Sequence, residues 1–178
     1  MSRASRVSAL LLVTACVHTA VAPVEPVGAT LPVSGPSVGD TVSFDFASLD
    51  DRPVSAPAFR GKPSVIAFVT SDSLAGQAEV DILAALAKQR PGAANYAFVA
   101  VEPADRRELV VVFQHFFEEK TGVSLPGAMC DSDTLIGQGP FGDVRGLAVV
   151  ILDRGGRIAL RRTGLVSAAD IARALESM

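Results

Sequence analysis

The chain is poor in the residues that usually carry chemistry. Its 178 residues include two cysteines, Cys16 and Cys130, far apart and in neither a Cys-x-x-Cys nor a zinc-type spacing. Two histidines, His18 and His115, are too few for a histidine-rich metal site, so no metal or other cofactor is expected. Basic residues form no block and the net charge is −3, which excludes a nucleic-acid footprint and a polybasic membrane patch. No apolar run reaches the roughly 20 residues that a membrane-spanning helix needs. The chain is rich in apolar material instead: 49% is hydrophobic, with nine phenylalanines, enough to bury a core without disulfides or a metal.

Arg3 and Arg6 precede a short apolar stretch, Val7 to Ala15, which reads as a secretory signal. It closes on Val13-Thr14-Ala15-Cys16, which resembles a bacterial lipobox. That resemblance implies cleavage after residue 15 and a lipid on Cys16; the alternative is an ordinary signal with a chance cysteine. Without residues 1–15 the 16 basic residues become 14 against 19 acidic ones, a net of −5. Residues 16–37 follow as a tether. Pro23, Pro26, Pro32 and Pro36 and the glycines 28 and 35 deny it a helix, and Glu25 is its only acid. As a coil it reaches on the order of 25 Å.

Residues 38–178 carry the pattern of one folded domain. Val42, Phe44 and Phe46 alternate with polar or small residues, as in a half-buried strand, and Ser64–Val69 is a buried one. Thr70-Ser71-Asp72-Ser73 offers N-caps to a helix with Ala78, Ile82, Ala85 and Leu86 inward, ending before Pro91-Gly92. After a strand at Tyr96–Val101, Asp105 and Glu108 suggest a capping box. Leu109, Val112, Phe113, Phe116 and Phe117 predict an amphipathic helix closed by Gly122. A short strand is expected over 125–129. Leu147–Leu152 is a further buried strand, Asp153–Gly156 a hairpin turn into residues 157–161, and Ser167 with Asp170 caps a last helix with Ile171, Ala174 and Leu175 inward. Gly137–Gly142 is glycine-rich but neither follows a strand nor opens a helix, so it reads as a loop and not as a phosphate cradle. An alternating front half and an antiparallel back half make an α/β fold.

Local wording gives the pattern a relative. Gly39-Asp40 through Phe44-Asp45-Phe46, Phe59-Arg60-Gly61-Lys62-Pro63, Leu125-Pro126 before Cys130-Asp131, and Ile151 to Ile158 with Gly164 beyond are similar to segments of thioredoxin-like envelope proteins. The family is that of TlpA and ResA, related to the AhpC/TSA and redoxin proteins. The resemblance implies a thioredoxin-like fold, a central mixed sheet flanked by helices, and a bacterial envelope location facing the periplasm or exterior.

The departures bear on activity. The family places Trp-Cys-x-x-Cys after the strand ending at Phe68; alignment on Phe68 and Glu79 puts Ser73 and Gly76 at the two cysteine positions, and Leu147 at that of the family's cis-proline. Thiol–disulfide exchange needs a thiolate and a resolving thiol, and neither serine nor glycine supplies one. Ser73 is therefore expected to act as a helix N-cap. Cys130, the one remaining thiol, reads as a buried, inert residue or as a lone redox cysteine; His115, Arg60 and Lys62 read as surface and loop residues. The resemblance also implies that Asp72, Ser73, Leu74, Ala75 and Leu147 surround the groove that grips an extended peptide. The expectation is a non-catalytic lipoprotein that binds or scaffolds an envelope protein or peptide and meets the membrane through its lipid alone. The alternative is a thiol-disulfide oxidoreductase or peroxidase-related enzyme using Cys130.

Overall fold

The computed structural model describes residues 35–131, 139–142, 144 and 146–178. The signal segment, Cys16 and most of the tether lie outside them. The elements run β1 (Asp45–Ser48), β2 (Val54–Ser55), α1 (Ala56–Phe59), β3 (Ser64–Val69), α2 (Leu74–Gln89), β4 (Asn95–Glu102), a 3-10 turn (Ala104–Arg106), α3 (Arg107–Thr121), β5 (Gly127–Asp131), β6 (Ala148–Leu152), β7 (Ile158–Thr163) and α4 (Ala168–Glu176). The strands form one mixed sheet in the order β2-β1-β5-β4-β3-β6-β7.

β3, β4 and β5 are parallel neighbours, and β1 and β6 pair antiparallel on either side of them. The crossovers β3–α2–β4 and β4–α3–β5 step the same way across the sheet. Right-handed connection therefore lays both helices on one face. α4 returns to that face, where Ile171 joins Val80, Leu83, Val110, Phe113 and Phe117 in one cluster over Val65, Ala67 and Phe98. The other face carries a second cluster: Val42, Phe44, Phe46 and Phe59 with Ile66, Phe68, Phe141 and Val144.

The alternation Val42, Phe44, Phe46 is buried as read, and each neighbour points outward. Phe141, in the stretch read as a plain loop, is fully buried; its ring centroid lies 5.2 Å from that of Phe44 and 5.4 Å from that of Phe68. A single aromatic among glycines has no periodicity to reveal it. Residues 137 and 138 of that stretch lie outside the described residues.

α3 departs from its predicted face. Phe113 and Phe117 are buried, but Leu109, Val112 and Phe116 are about half exposed or more, and the inward stripe is Val110, Phe113, Gln114 and Phe117. Apolar residues occupy two adjacent stripes of this helix, and only the one turned to the sheet finds a partner. The Asp105–Glu108 capping box does not form. The 3-10 turn precedes the helix, Arg106 becomes the cap residue, and no side chain caps the end. In α2 the buried residues are Gly76, Glu79, Val80, Leu83, Ala84 and Leu86; of the predicted set Leu86 is buried as read, Ala78 and Ile82 are half-buried beside that stripe, and Ala85 is exposed. Gly122, at φ 67°, closes α3 in the left-handed conformation that its lack of a Cβ permits. Asp153 accepts hydrogen bonds from the amides of Gly155 and Arg157, building the β6–β7 turn.

Candidate functional site

The carboxyl ends of β3, β4 and β5 share one edge of the sheet, and α2 starts there. Between Val69 and Leu74 the chain turns through four polar residues. Ser73 takes extended backbone angles, and its Oγ accepts from the Gly76 amide at 3.3 Å. This is an N-cap, which contributes about 1 kcal/mol. Ser73 also closes the turn, its amide donating to the Thr70 carbonyl at 3.2 Å.

Gly76 packs closely on the turn before it. A Cβ placed on it would stand 2.8 Å from the Thr70 carbonyl oxygen and 3.2 Å from Val69 Cβ. The first contact is with backbone, which cannot swing aside. The first turn of α2 therefore lies so close to the end of β3 that the position admits glycine and resists any side chain.

Around this turn Asp72, Leu74 and Ala75 are exposed, Leu74 to 82%. Leu147, half-buried, packs against the helix-side cluster. Its carbonyl accepts from the Gly164 amide at 2.8 Å. Cys130 stands opposite Val101 in the β4–β5 pairing and packs against the second-face cluster. The sheet thus separates it from α2, which packs on the other face. His115 is exposed on α3, and Arg60 and Lys62 are exposed in their loop. Among the described residues no group of three or more His, Cys, Asp or Glu could hold a metal ion, and no helix is long and apolar enough to cross a membrane.

No protein-family model matches the chain, and no curated protein matches it in sequence. Solved structures do match. A DsbF homologue from Corynebacterium diphtheriae superposes with a TM-score of 0.64 at 16% identity, over 78% of this chain and 86% of that one. A thiol:disulfide interchange protein of the thioredoxin family from Chlorobium tepidum gives 0.60 at 16% identity, over 80% and 97%. A SCO1/SenC family lipoprotein from Bacillus anthracis gives 0.61 at 17% identity, over 80% and 96%. The chain has the thioredoxin fold.

Two buried acids shape this version of the thioredoxin fold around the turn, and the first was not legible as a site residue. Glu102, at the end of β4 and 3% exposed, accepts from both the amide and the Oγ of Ser71 at 2.7 Å. Its other oxygen accepts from Arg106 Nη1 at 3.3 Å, and the same nitrogen lies 3.7 Å from Asp72 Oδ2. A buried carboxylate thus pins the β3–α2 turn from the neighbouring strand. In sequence Glu102 only ends an apolar run, so nothing marked it. Glu79 is fully buried on α2; its Oε2 accepts from the Val166 amide at 2.8 Å, while Oε1 has no partner. Burial holds its carboxyl above the ordinary range, against the weaker pull of that amide.

Proposed function

We propose that this chain is a non-catalytic thioredoxin-fold module of the bacterial envelope that docks a partner protein or peptide. The observation that carries the reading is Gly76. The two positions where exchange chemistry would sit hold an alcohol committed to capping and a glycine with no room for a side chain. An alcohol forms no disulfide, and a resolving sulfur at position 76 would have to displace backbone. The support for docking is the exposed apolar end of α2, where Leu74 and Ala75 protrude near the Asp72 turn and Leu147 supplies a half-buried wall. The amides of the first turn of α2 favour an acceptor or carboxylate from the partner.

Lipid anchorage through Cys16 belongs to the same proposal. Its support is the lipobox-like Val13-Thr14-Ala15-Cys16, together with a structural neighbour described as a lipoprotein. Envelope placement follows from that leader. Dual or multiple acylation gives stable anchoring, at about 0.8 kcal/mol per buried CH₂.

The docking reading is tested by a photo-crosslinking residue at Leu74 in the native envelope. A discrete crosslinked partner is expected, and Ala75→Arg should abolish it. Unchanged capture in that variant removes the site. Labelled fatty acid should enter the chain and be lost in Cys16→Ala; incorporation that survives the substitution removes the anchor.

A further inference from the structure

α3 carries two apolar stripes, and the core covers only one. The other consists of Leu109, Val112 and Phe116, at i, i+3 and i+7, the spacing at which one helix seats on another. They are 49%, 64% and 52% exposed. No other element of the described residues exposes three large hydrophobic side chains, so these form a patch and not a scatter. Phe116 is held in place: its ring lies edge-on to Phe117 at 5.2 Å, and Lys120 Nζ stands 5.9 Å from its centroid.

Charge decides what fits this stripe. One margin of it bears Glu108, His115 and Glu119, all exposed. The two acids stand about 16 Å apart along the axis, one towards each end of the stripe. The bases nearby are engaged elsewhere: Arg106 with Glu102 and Asp72, Arg107 with the Ser48 carbonyl, and Lys120 with Asp81. Among the described residues no ion pair reaches Glu108 or Glu119. A second copy of the chain is therefore a poor occupant. Packed antiparallel, stripe on stripe, Glu108 of one copy comes beside Glu119 of the other; packed parallel, each acid meets its own counterpart. Both arrangements bring carboxylates together. An anionic bilayer surface is repelled by the same two acids.

We propose that the Leu109–Val112–Phe116 stripe is a docking surface for an amphipathic helix of another protein, one whose apolar stripe is edged at both ends by lysine or arginine. The three apolar side chains supply the contact area. Glu108 and Glu119 pair with the partner's bases at the rim and so set its identity and register. A rim pair contributes little on its own. The acids therefore select among apolar helices, and the apolar stripe holds the one selected. This surface lies on α3, apart from the head of α2, and does not rest on the docking reading given for that end.

The test uses the full chain and two blocked peptides of about 18 residues, long enough to form a helix. Both carry leucine at i, i+3 and i+7; the edges of that stripe are lysine in one and glutamate in the other. Binding is followed by calorimetry and by the NMR signals of the Leu109 and Val112 methyls and the Phe116 ring. The lysine peptide should shift those signals and bind about tenfold more tightly than the glutamate peptide at low salt. Glu108→Lys combined with Glu119→Lys should reverse that preference, and Val112→Ser should weaken both peptides. These variants change exposed side chains, so their circular dichroism should match wild type. Equal binding of the two peptides, binding of neither, a preference that survives the charge reversal, or full binding by Val112→Ser overturns the proposal. So does a concentration-dependent dimer in sedimentation that Val112→Ser abolishes, or flotation with phosphatidylglycerol vesicles that depends on Val112, because each names a different occupant. Crosslinking at Leu74 is read separately, and failure at either surface leaves the other standing.

Discussion

Replacing Gly76 by alanine is a sharp perturbation because two effects of known size oppose each other. In an ordinary helix Gly→Ala stabilises by up to about 1 kcal/mol, through backbone entropy. Here the added methyl would meet the Thr70 carbonyl oxygen at 2.8 Å and Val69 Cβ at 3.2 Å, with Val69 itself fully buried. Forcing a methyl into such a contact costs about 1–3 kcal/mol. The clash wins: Gly76→Ala should lose about 1 kcal/mol net, a fall of about 3–6 °C in Tm for a domain of this size. Urea and thermal unfolding of the full chain, followed by far-UV circular dichroism, read this directly. A variant as stable as wild type, or more so, would show that position 76 has room for a side chain. The glycine would then be no barrier to a cysteine, and only the lack of sulfur at positions 73 and 76 would oppose exchange chemistry.

Phe141→Ala should cost about 3–5 kcal/mol, seen as a lower urea midpoint, because a fully buried ring leaves a hole between Phe44, Phe46 and Phe68. Ser73→Ala should cost about 1 kcal/mol and Ser73→Asn much less, since only the cap oxygen is lost; equal losses in the two variants would deny the cap. Asp50 gives a pH signature opposite to that of Glu79. Burial by itself would raise its carboxyl, but hydrogen bonds from Arg52 and Gln114 outweigh that and hold it below the ordinary range. Its stabilisation is complete above the ordinary carboxylate value and fades as pH falls through the lowered one. Asp50→Asn should flatten that acid limb in unfolding curves taken from neutral to acidic pH, and an unchanged limb would place the linkage elsewhere.

Much of the fold was legible because strands here are continuous or alternating apolar runs, and turns carry strong local chemistry. The run Ser64–Val69, the Asp153–Gly156 turn and the Ser167 cap each state their role within a few residues, and Val42, Phe44 and Phe46 state their burial, although only Phe46 lies in β1. α3 was less readable because it is apolar on two stripes, and spacing alone does not say which one meets the sheet. Tertiary packing of Phe113 and Phe117 on the helix-side core decides it. At the site, Ser73 could be read as a cap from its place before a helix. Nothing local announced that Glu102, some thirty residues on, accepts from Ser71, that Glu79 reaches Val166, or that Gly76 touches the Thr70 carbonyl. The first two are contacts between elements distant in sequence that the sheet order brings together; the third depends on how closely the first turn of α2 packs on the end of β3.

Whether this domain exchanges electrons with thiols is read directly by a dithiol turnover assay. The full chain, incubated with insulin and a dithiol reductant, should precipitate insulin no faster than the reductant alone, with Cys130→Ala indistinguishable from wild type. Catalysed reduction that disappears in Cys130→Ala would contradict the account and make this chain an enzyme.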